Sequence, residues 1–254
     1  MRVFTVSDIH TDYRENDHWV RSLSNSDYVD DILILAGDIS DSTPRVIDCF
    51  NQLKRKFKTL FYVPGNHDLW VRGASPSKAD SIDKFFELLA LCRDCGVVTE
   101  QRSVNRLTIR PMFSWYDLRF GEVSDELFGK WMDFFHCRWP ETLATPMEQN
   151  RYFLQQNSLD EKPVDNTVIT FSHFLPRIDL MPSYIPHRHR EIYPVLGSPL
   201  LDRQIRTLNS KIHIYGHSHV NREVRIEGID YINNAFGYPS ETRISSKKLL
   251  QITY

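Results

Sequence analysis

The chain has 254 residues, which is enough to bury a large core in one α/β domain. Its formal net charge of −2 provides no overall basic field to attract nucleic acid or an anionic membrane, although it leaves a nucleotide substrate open. No apolar stretch approaches the roughly 20 residues that a membrane-spanning helix needs.

The first residues show no basic region followed by an apolar run and a cleavage site, so we expect no signal peptide. The four cysteines are too few and too scattered to form a disulfide framework in a chain of this length. Both observations favour a reducing compartment. We therefore expect a cytoplasmic protein that has no membrane partner.

Short apolar runs that favour strands alternate with patterns that favour helices from the N-terminus onward. The predicted strands are 3–6, 32–36, 60–63, 168–171 and 212–215, and the predicted helices are 44–57 and 81–91. Near the C-terminus, three further runs at 224–226, 229–232 and 249–252 predict a strand meander. This order of elements predicts an α/β sandwich with mixed sheets, in a single domain over residues 1–254.

Two regions interrupt the alternation. An excursion at about 113–163 is rich in aromatic residues: Trp115, Tyr116, Phe120, Phe128, Trp131, Phe134, Phe135 and Trp139. The aromatics favour two interpretations equally, a small packed cluster or a cap that forms one wall of a pocket. The second region, at about 176–199, contains five prolines and is predicted to be an irregular loop, a kind of segment that often binds ligands.

Acidic, amide and imidazole side chains recur directly after the predicted strands. The five clusters are Asp8 with His10, Asp38, Asn66 to Asp68, His173, and His217 with His219. Open α/β sheets place their ligand crevice at the carboxyl ends of the strands. Oxygen and imidazole nitrogen donors suit Zn²⁺, Mn²⁺ or Fe, and the Asp-x-His and His-x-His spacings put alternate side chains on one side of extended backbone. The sequence therefore predicts one metal site shared by the five clusters.

With these motifs the chain resembles the calcineurin-like metallophosphoesterase superfamily. The resemblance is carried by Asp8-x-His10, Gly37-Asp38-x-x-Asp41, Gly65-Asn66-His67-Asp68, His173 and Gly216-His217-x-His219. It implies a four-layer α/β/β/α sandwich with two mixed β-sheets and two metal ions at one edge. It also implies a ligand set: Asp8, His10 and His219 for the first metal, Asn66, His173 and His217 for the second, and Asp38 as the bridge. The ions are divalent or trivalent, and manganese, iron and zinc all tolerate these ligands.

The same resemblance implies hydrolysis by a hydroxide that bridges the two metals and attacks phosphorus. It also implies that His67 faces the substrate and protonates the leaving group or stabilises the transition state. Asp41 matches a family position that orients this histidine, and a carboxylate partner raises the basicity of an imidazole. Asp68 is the competing candidate for that partner, although a turn-capping role is favoured for it.

The chain departs from the phosphoprotein phosphatases of this superfamily at Ser42, where those enzymes carry an arginine that grips phosphate. The predicted replacements lie in the irregular loop after His173 and are Arg177, Arg188 and Arg190. Arginine forks suit phosphate recognition, but a solvated basic turn is an equal alternative.

The leading function is a phosphodiesterase that acts on a small or nucleotide-like diester, with excursion aromatics stacking on a base. The alternative is a phosphomonoesterase or pyrophosphohydrolase that uses the same metal centre. A non-catalytic binding scaffold is disfavoured because the ligand set is intact. The expected partner is a phosphate-containing substrate, nucleic acid is not indicated by the charge, and the sequence assigns no oligomeric state.

Overall fold

The structure is a computed structural model that describes residues 1–72, 79–159 and 166–254. Within these ranges the strands are β1 (Val3–Val6), β2 (Ile32–Leu35), β3 (Thr59–Tyr62), β4 (Arg102–Val104), β5 (Leu107–Pro111), β6 (Thr167–Phe171), β7 (Ile212–Tyr215), β8 (Arg222–Ile226), β9 (Ile229–Asn233) and β10 (Leu250–Ile252). The α-helices are α1 (Arg14–Ser22), α2 (Thr43–Lys54), α3 (Ser81–Cys95), α4 (Asp125–Lys130), α5 (Asp133–His136), α6 (Pro146–Gln155) and α7 (Pro199–Thr207). Shorter 3₁₀ segments are His67–Leu69, Glu141–Leu143, Ile178–Leu180 and His187–Val195.

The strands form two mixed sheets. The first has the order β10-β1-β2-β3, in which β1, β2 and β3 are parallel and β10 is antiparallel to β1. The second has the order β4-β5-β6-β7-β9-β8, with four parallel central strands and an antiparallel strand at each edge. The central parallel strands are almost entirely buried, as expected for strands that are covered on both faces.

Alternation along the strands divides the apolar side chains into layers. Ile32 and Ile34 of β2 point between the two sheets, where they join residues of β6 and β7 in one core cluster. Leu33 and Leu35 point to the opposite face, under α2 and α3. On the outer face of the second sheet, Tyr215 packs in a third cluster with residues of α7. The result is the predicted four-layer α/β/β/α sandwich.

Helix ends follow from local sequence. At the start of α3, the Asp80 carboxylate accepts hydrogen bonds from the backbone N–H groups of Ile82 and Asp83. The Asp83 carboxylate accepts the backbone N–H of Asp80, which completes a capping box. The helix ends at Gly96, whose φ of 68° suits glycine. Among the described residues, no helix is both long enough and apolar enough to cross a bilayer.

The predicted strands match the observed ones closely, and those at 3–6 and 212–215 have the same bounds in the structure. The predicted meander is wrong in its third strand, because β10 pairs antiparallel with β1 of the other sheet and not with β9. A three-residue run is too short to specify its partner. Strands β4 and β5 were not predicted.

The excursion and the loop contain more regular structure than their compositions suggested. The described part of the excursion holds α4, α5 and α6, while its predicted end at 160–163 lies outside the described residues. Trp115 and Tyr116 are buried in the main core. The proline-rich loop contains the two 3₁₀ segments Ile178–Leu180 and His187–Val195 before α7 begins.

Candidate metal centre

Five of the predicted metal-binding residues have left-handed backbone where the chain leaves a strand. The φ angle is 53° at Asp8, 46° at His10, 58° at Asp38, 66° at His217 and 53° at His219. Asp and His tolerate this region better than most L residues, but it costs of the order of 1–2 kcal/mol per residue. Backbone strain of this kind is concentrated at functional sites.

Two glycines leave room for the side chains at this edge. A β-carbon on Gly65 would lie 2.1 Å from Oδ1 of Asp38. A β-carbon on Gly37, where φ is +88°, would lie 2.5 Å from Nδ1 of His173. Any larger residue at either position would therefore displace a predicted metal ligand.

Asp68 holds the two loops that follow β2 and β3. Its Oδ2 accepts the N–H groups of Asp38 and Gly65, both at 2.8 Å. Its Oδ1 accepts the N–H groups of Ile39 at 2.8 Å and Ser40 at 3.0 Å. The side chain is fully buried and caps turns, which is the role the sequence favoured for it.

The first group of donors consists of Asp8, His10 and His219, whose donor atoms lie within 4.8 Å of one another. Nε2 of His219 lies 3.2 Å from Oδ1 of Asp8 and 3.2 Å from Nε2 of His10. Burial acts to raise the pKa of Asp8, but the facing His219 lowers it below its usual range. Burial acts to lower the pKa of His219, but Asp8 and Glu241 raise it to about 9. A proton on Nε2 of His219 and a metal ion would therefore compete for the space between His219 and Asp8.

Glu241 fixes the orientation of His219. Its Oε2 lies 2.6 Å from Nδ1 of His219, so Nε2 is the nitrogen that faces Asp8 and His10. The same oxygen accepts the N–H of Tyr238 at 2.7 Å. Glu241 lies beyond the last sequence motif and was not predicted as part of the site.

The second group brings three lone pairs together. Nδ1 of His173 donates to the carbonyl of Ala36 at 2.9 Å, and Nε2 of His217 donates to the carbonyl of Val195 at 3.0 Å. The remaining nitrogens, Nε2 of His173 and Nδ1 of His217, face each other at 3.0 Å. Oδ1 of Asn66 is also 3.0 Å from Nε2 of His173. These three atoms are all acceptors, and no proton lies between them to form a hydrogen bond. Their lone pairs therefore suit a metal ion.

Asp38 lies between the two groups. Its Oδ2 is 3.5 Å from Nε2 of His173 and 3.9 Å from Nε2 of His10, so one oxygen faces a histidine of each group. Its Oδ1 accepts the N–H of His67 at 3.0 Å, which fixes the carboxylate. This position suits a bridge between two metal ions.

The pKa shifts follow from burial. Burial lowers the pKa of His10, His173 and His217, which keeps their ring nitrogens available as lone-pair donors. Burial and the neighbouring carboxylates raise the pKa of Asp38 well above its usual range. Positive charge between the two donor groups would stabilise the ionised form of Asp38.

Asp133, in the aromatic excursion, orients Asn66. Its Oδ1 accepts from Nδ2 of Asn66 at 2.8 Å and from Nε1 of Trp70 at 2.7 Å, and its Oδ2 accepts from Nε1 of Trp131 at 2.8 Å. Because the amide nitrogen faces Asp133, the amide oxygen faces His173. Outer partners of this kind hold metal ligands in place. Asp133 was not predicted, and its signal in the sequence is a lone carboxylate within an aromatic run.

His67 lies beside both donor groups, and among the described residues no carboxylate is hydrogen-bonded to its ring. Nε2 is 4.0 Å from Oδ2 of Asp38 and 3.4 Å from the hydroxyl of Tyr238. The ring stacks on Trp70 with 3.8 Å between centroids. Burial and the neighbouring His10 lower the pKa of His67 well below its usual value, so the expected rise in basicity is not observed.

Asp41, which was expected to orient His67, pairs with Arg72 instead. Oδ2 of Asp41 lies 2.9 Å from Nε of Arg72, and the Arg72 guanidinium lies 4.3 Å from the ring centroid of Trp70. Asp41 is thus linked to His67 through Arg72 and Trp70 and not by direct contact. The physical reason is that Asp68 occupies the buried position under this loop.

The three arginines predicted to grip phosphate have other neighbours. Arg177 pairs with three carboxylates, those of Asp179, Asp202 and Glu227. Arg188 and Arg190 are exposed and border a separate cavity of about 550 Å³ that also contains acidic side chains. None of the three lines either of the described cavities that open beside His67.

Those two cavities share His67, Trp70 and Tyr238. The larger has a volume of about 360 Å³ and a polar lining completed by His10, Asp12, Tyr13, Asp41 and Arg72. The smaller has a volume of about 190 Å³ and is completed by Asn66, Lys130, Trp131, Met132 and Asp133. The excursion therefore contributes both to the core, through Trp115 and Tyr116, and to a wall beside the candidate metal centre.

Comparison with known proteins agrees with this geometry. The family model described as "Calcineurin-like phosphoesterase" matches residues 1–221. The chain is 26% identical over 272 residues to "[Acyl-carrier-protein] phosphodiesterase PptH" of Mycobacterium tuberculosis (strain ATCC 25618 / H37Rv), covering 95% of this chain and 79% of the relative. The crystal structure of Phosphopantetheinyl Hydrolase (PptH) from Mycobacterium tuberculosis superposes with a TM-score of 0.84 at 25% identity, covering 99% of this chain and 95% of that one. The chain is therefore a member of the calcineurin-like phosphoesterase family, a hydrolase that acts on phosphate esters.

Proposed function

We propose that the protein is a two-metal phosphodiesterase that hydrolyses the phosphopantetheinyl ester of an acyl carrier protein. The observation that carries the proposal is the pair of donor groups on either side of Asp38. The substrate class is supported by similarity over nearly the whole chain to PptH, which is named both as an acyl-carrier-protein phosphodiesterase and as a phosphopantetheinyl hydrolase.

The predicted ligand set becomes part of this proposal. Asp8, His10 and His219 would hold one ion, Asn66, His173 and His217 would hold the other, and Asp38 would contact both. Two bound ions would supply a hydroxide nucleophile near neutral pH. Mixed carboxylate, amide and imidazole donors suit manganese, iron or zinc.

His67 would act at the leaving oxygen. Its Nε2 faces the space between the donor groups, and its ring is held by the stack on Trp70 and the hydroxyl of Tyr238. In the proposed reaction, water adds across one P–O bond. The anionic phosphate beside Nε2 would raise the pKa of His67, so that the ring takes up a proton when substrate binds. The carrier's side-chain oxygen leaves and gains this proton from Nε2, and the phosphate stays on the pantetheinyl arm as a monoester. Asp41 would support His67 through Arg72 and Trp70.

The two cavities favour a diester over a monoester. A diester has two arms on phosphorus, and two cavities that both include His67 in their lining could take one arm each. A monoester would leave one of these spaces unused. We also propose a cytoplasmic location, which is supported by four free cysteine thiols.

The test uses metal-stripped protein to which Mn²⁺, Fe²⁺, Zn²⁺ or Mg²⁺ is returned. Three substrates are compared: a phosphopantetheinyl carrier protein, a chromogenic diester and a chromogenic monoester. We expect metal-dependent cleavage of the carrier ester and the diester. Cleavage of the monoester alone would refute a phosphodiesterase, and cleavage of the diester but not the carrier would refute the substrate class.

Two variants separate metal binding from proton transfer. Asp38→Asn is expected to lose metal and activity together, because both donor groups depend on this carboxylate. His67→Ala is expected to keep both metals and to lose about 10²–10⁴-fold in turnover, the usual contribution of general acid catalysis. Full turnover by the metal-loaded His67→Ala variant would refute the assigned role.

A further inference from the structure

A narrow cleft leads away from the metal centre on the excursion side of His67. We name this cavity of about 190 Å³ the aromatic slot, after its walls Trp70, Trp131, Met132 and Tyr238. It begins at Asn66 and His67, so it is within reach of a substrate group attached to the reacting phosphate. Trp131 and Met132 come from the segment between α4 and α5.

The aromatic slot is mainly apolar although two indoles, the carboxylate of Asp133 and Lys130 line it; the ammonium group of Lys130 pairs with Glu126. The indole N–H groups of Trp70 and Trp131 both donate to Asp133, at 2.7 Å and 2.8 Å. Asp133 is itself buried and also accepts from Asn66. These polar atoms satisfy one another, so the walls offer mainly carbon to a ligand. The His67 ring stacks on Trp70, which leaves that indole less able to stack on a nucleobase.

The size of the aromatic slot limits its occupant. A cavity volume of about 190 Å³ is small for a ligand site, which suits a compact group attached to phosphorus. In a phosphopantetheinyl arm, the carbon next to the ester CH₂ carries two methyl groups, so the bulkiest apolar part lies beside phosphorus. The rest of the arm would leave past Met132, whose side chain is 46% exposed.

We infer that the aromatic slot binds the dimethyl-bearing segment of the phosphopantetheinyl arm, and that the carrier protein lies over the larger polar cavity. The inference rests on the proposed function and deepens it. Burial of each methyl group is worth roughly four-fold in affinity, so the pair is worth roughly ten-fold or more. The polar lining of the other cavity, with Asp12, Asp41 and Arg72, suits the main chain and polar side chains of a protein partner.

The experiment is a cycle of two ligands and three proteins. Binding of 4′-phosphopantetheine and of its analogue lacking both methyl groups is measured by calorimetry on metal-loaded protein. Met132→Trp places a large ring in the aromatic slot, at a side chain exposed enough to accept it. Phe135→Trp is the matched control, because Phe135 is 60% exposed, lies on the same excursion and does not line the slot.

Wild type and Phe135→Trp are expected to prefer the dimethyl ligand by roughly ten-fold, and Met132→Trp is expected to lose the preference. General damage to the metal centre would lower the affinity for both ligands equally, so it cannot produce a change in the ratio of the two affinities. Equal binding of both ligands by wild type, or an unchanged ratio in Met132→Trp, would overturn the inference. Cleavage of the phosphopantetheinyl carrier by wild type, measured in parallel, shows whether the proposed function stands. If wild type does not cleave the carrier, the proposed function and the inference that rests on it both fail.

Discussion

Replacement of Asp68 by asparagine tests how the loops after β2 and β3 are held. The carboxylate accepts four buried backbone N–H groups, two on each oxygen. In Asp68→Asn one oxygen becomes an NH₂ group, which faces two N–H donors and cannot accept from them. Two hydrogen bonds to a charged acceptor are then lost, at about 1.5–3 kcal/mol each, so we expect about 3–6 kcal/mol of destabilisation.

This loss is a large fraction of the roughly 5–15 kcal/mol that stabilises a typical domain. With a urea slope of about 2–3 kcal/mol/M, the unfolding midpoint should fall by about 1–3 M. The assay is urea unfolding of metal-free protein, followed by circular dichroism. Asp94→Asn, at an exposed position on α3, is the matched control and should leave the midpoint unchanged. An Asp68→Asn midpoint equal to that of wild type would refute the assigned role of the carboxylate.

The remaining predictions concern the metal centre and its surroundings. Asp133→Asn should weaken one of the two metals by about 10–100-fold and spare the other in a metal titration, and equal loss of both would contradict the proposed orienting role. Gly65→Ala should weaken both metals, because the added methyl meets Oδ1 of Asp38 at 2.1 Å, whereas Gly129→Ala, with no atom within 4 Å, should not. Chelation should lower Tm by about 5–10 °C per site, since ligand at 100 times Kd contributes about 2.7 kcal/mol, and re-addition should restore it. Arg177→Ala should leave KM for the diester unchanged, because its three carboxylate partners hold it outside both cavities, and a raised KM would return it to the substrate site.

The strands and the convergence of the motif residues could be predicted from the sequence for a physical reason. Buried parallel strands appear as continuous apolar runs, and β1 and β7 were predicted with the bounds they have in the structure. Residues that follow such strands at one edge of the sandwich must meet. Asp8, Asp38 and His173 could therefore be expected to lie together before the structure was known, although their assignment to metals stays a prediction.

The remaining parts of the site depend on tertiary contacts that leave no periodic pattern in the sequence. Asp133 and Glu241 are single carboxylates far from the motifs, and only the folded chain shows that they reach Asn66 and His219. The basic run after His173 favoured phosphate contact by its position along the chain. In the structure the neighbouring carboxylates hold Arg177 elsewhere, which a one-dimensional pattern cannot show.

The pairing of β1 with β10 has a consequence for folding during synthesis on the ribosome. Val3 pairs with Ile252, and the main chain of Ser7 and Asp8 is hydrogen-bonded by residues 234–237. A ribosome that adds about 5–20 residues per second makes the two halves of this contact roughly 10–50 s apart. For most of that interval the nascent chain contains Asp8 and His10 but neither His219 nor Glu241. Loading of the first metal would therefore report that translation of this region is complete, and a truncated nascent chain would be left without it.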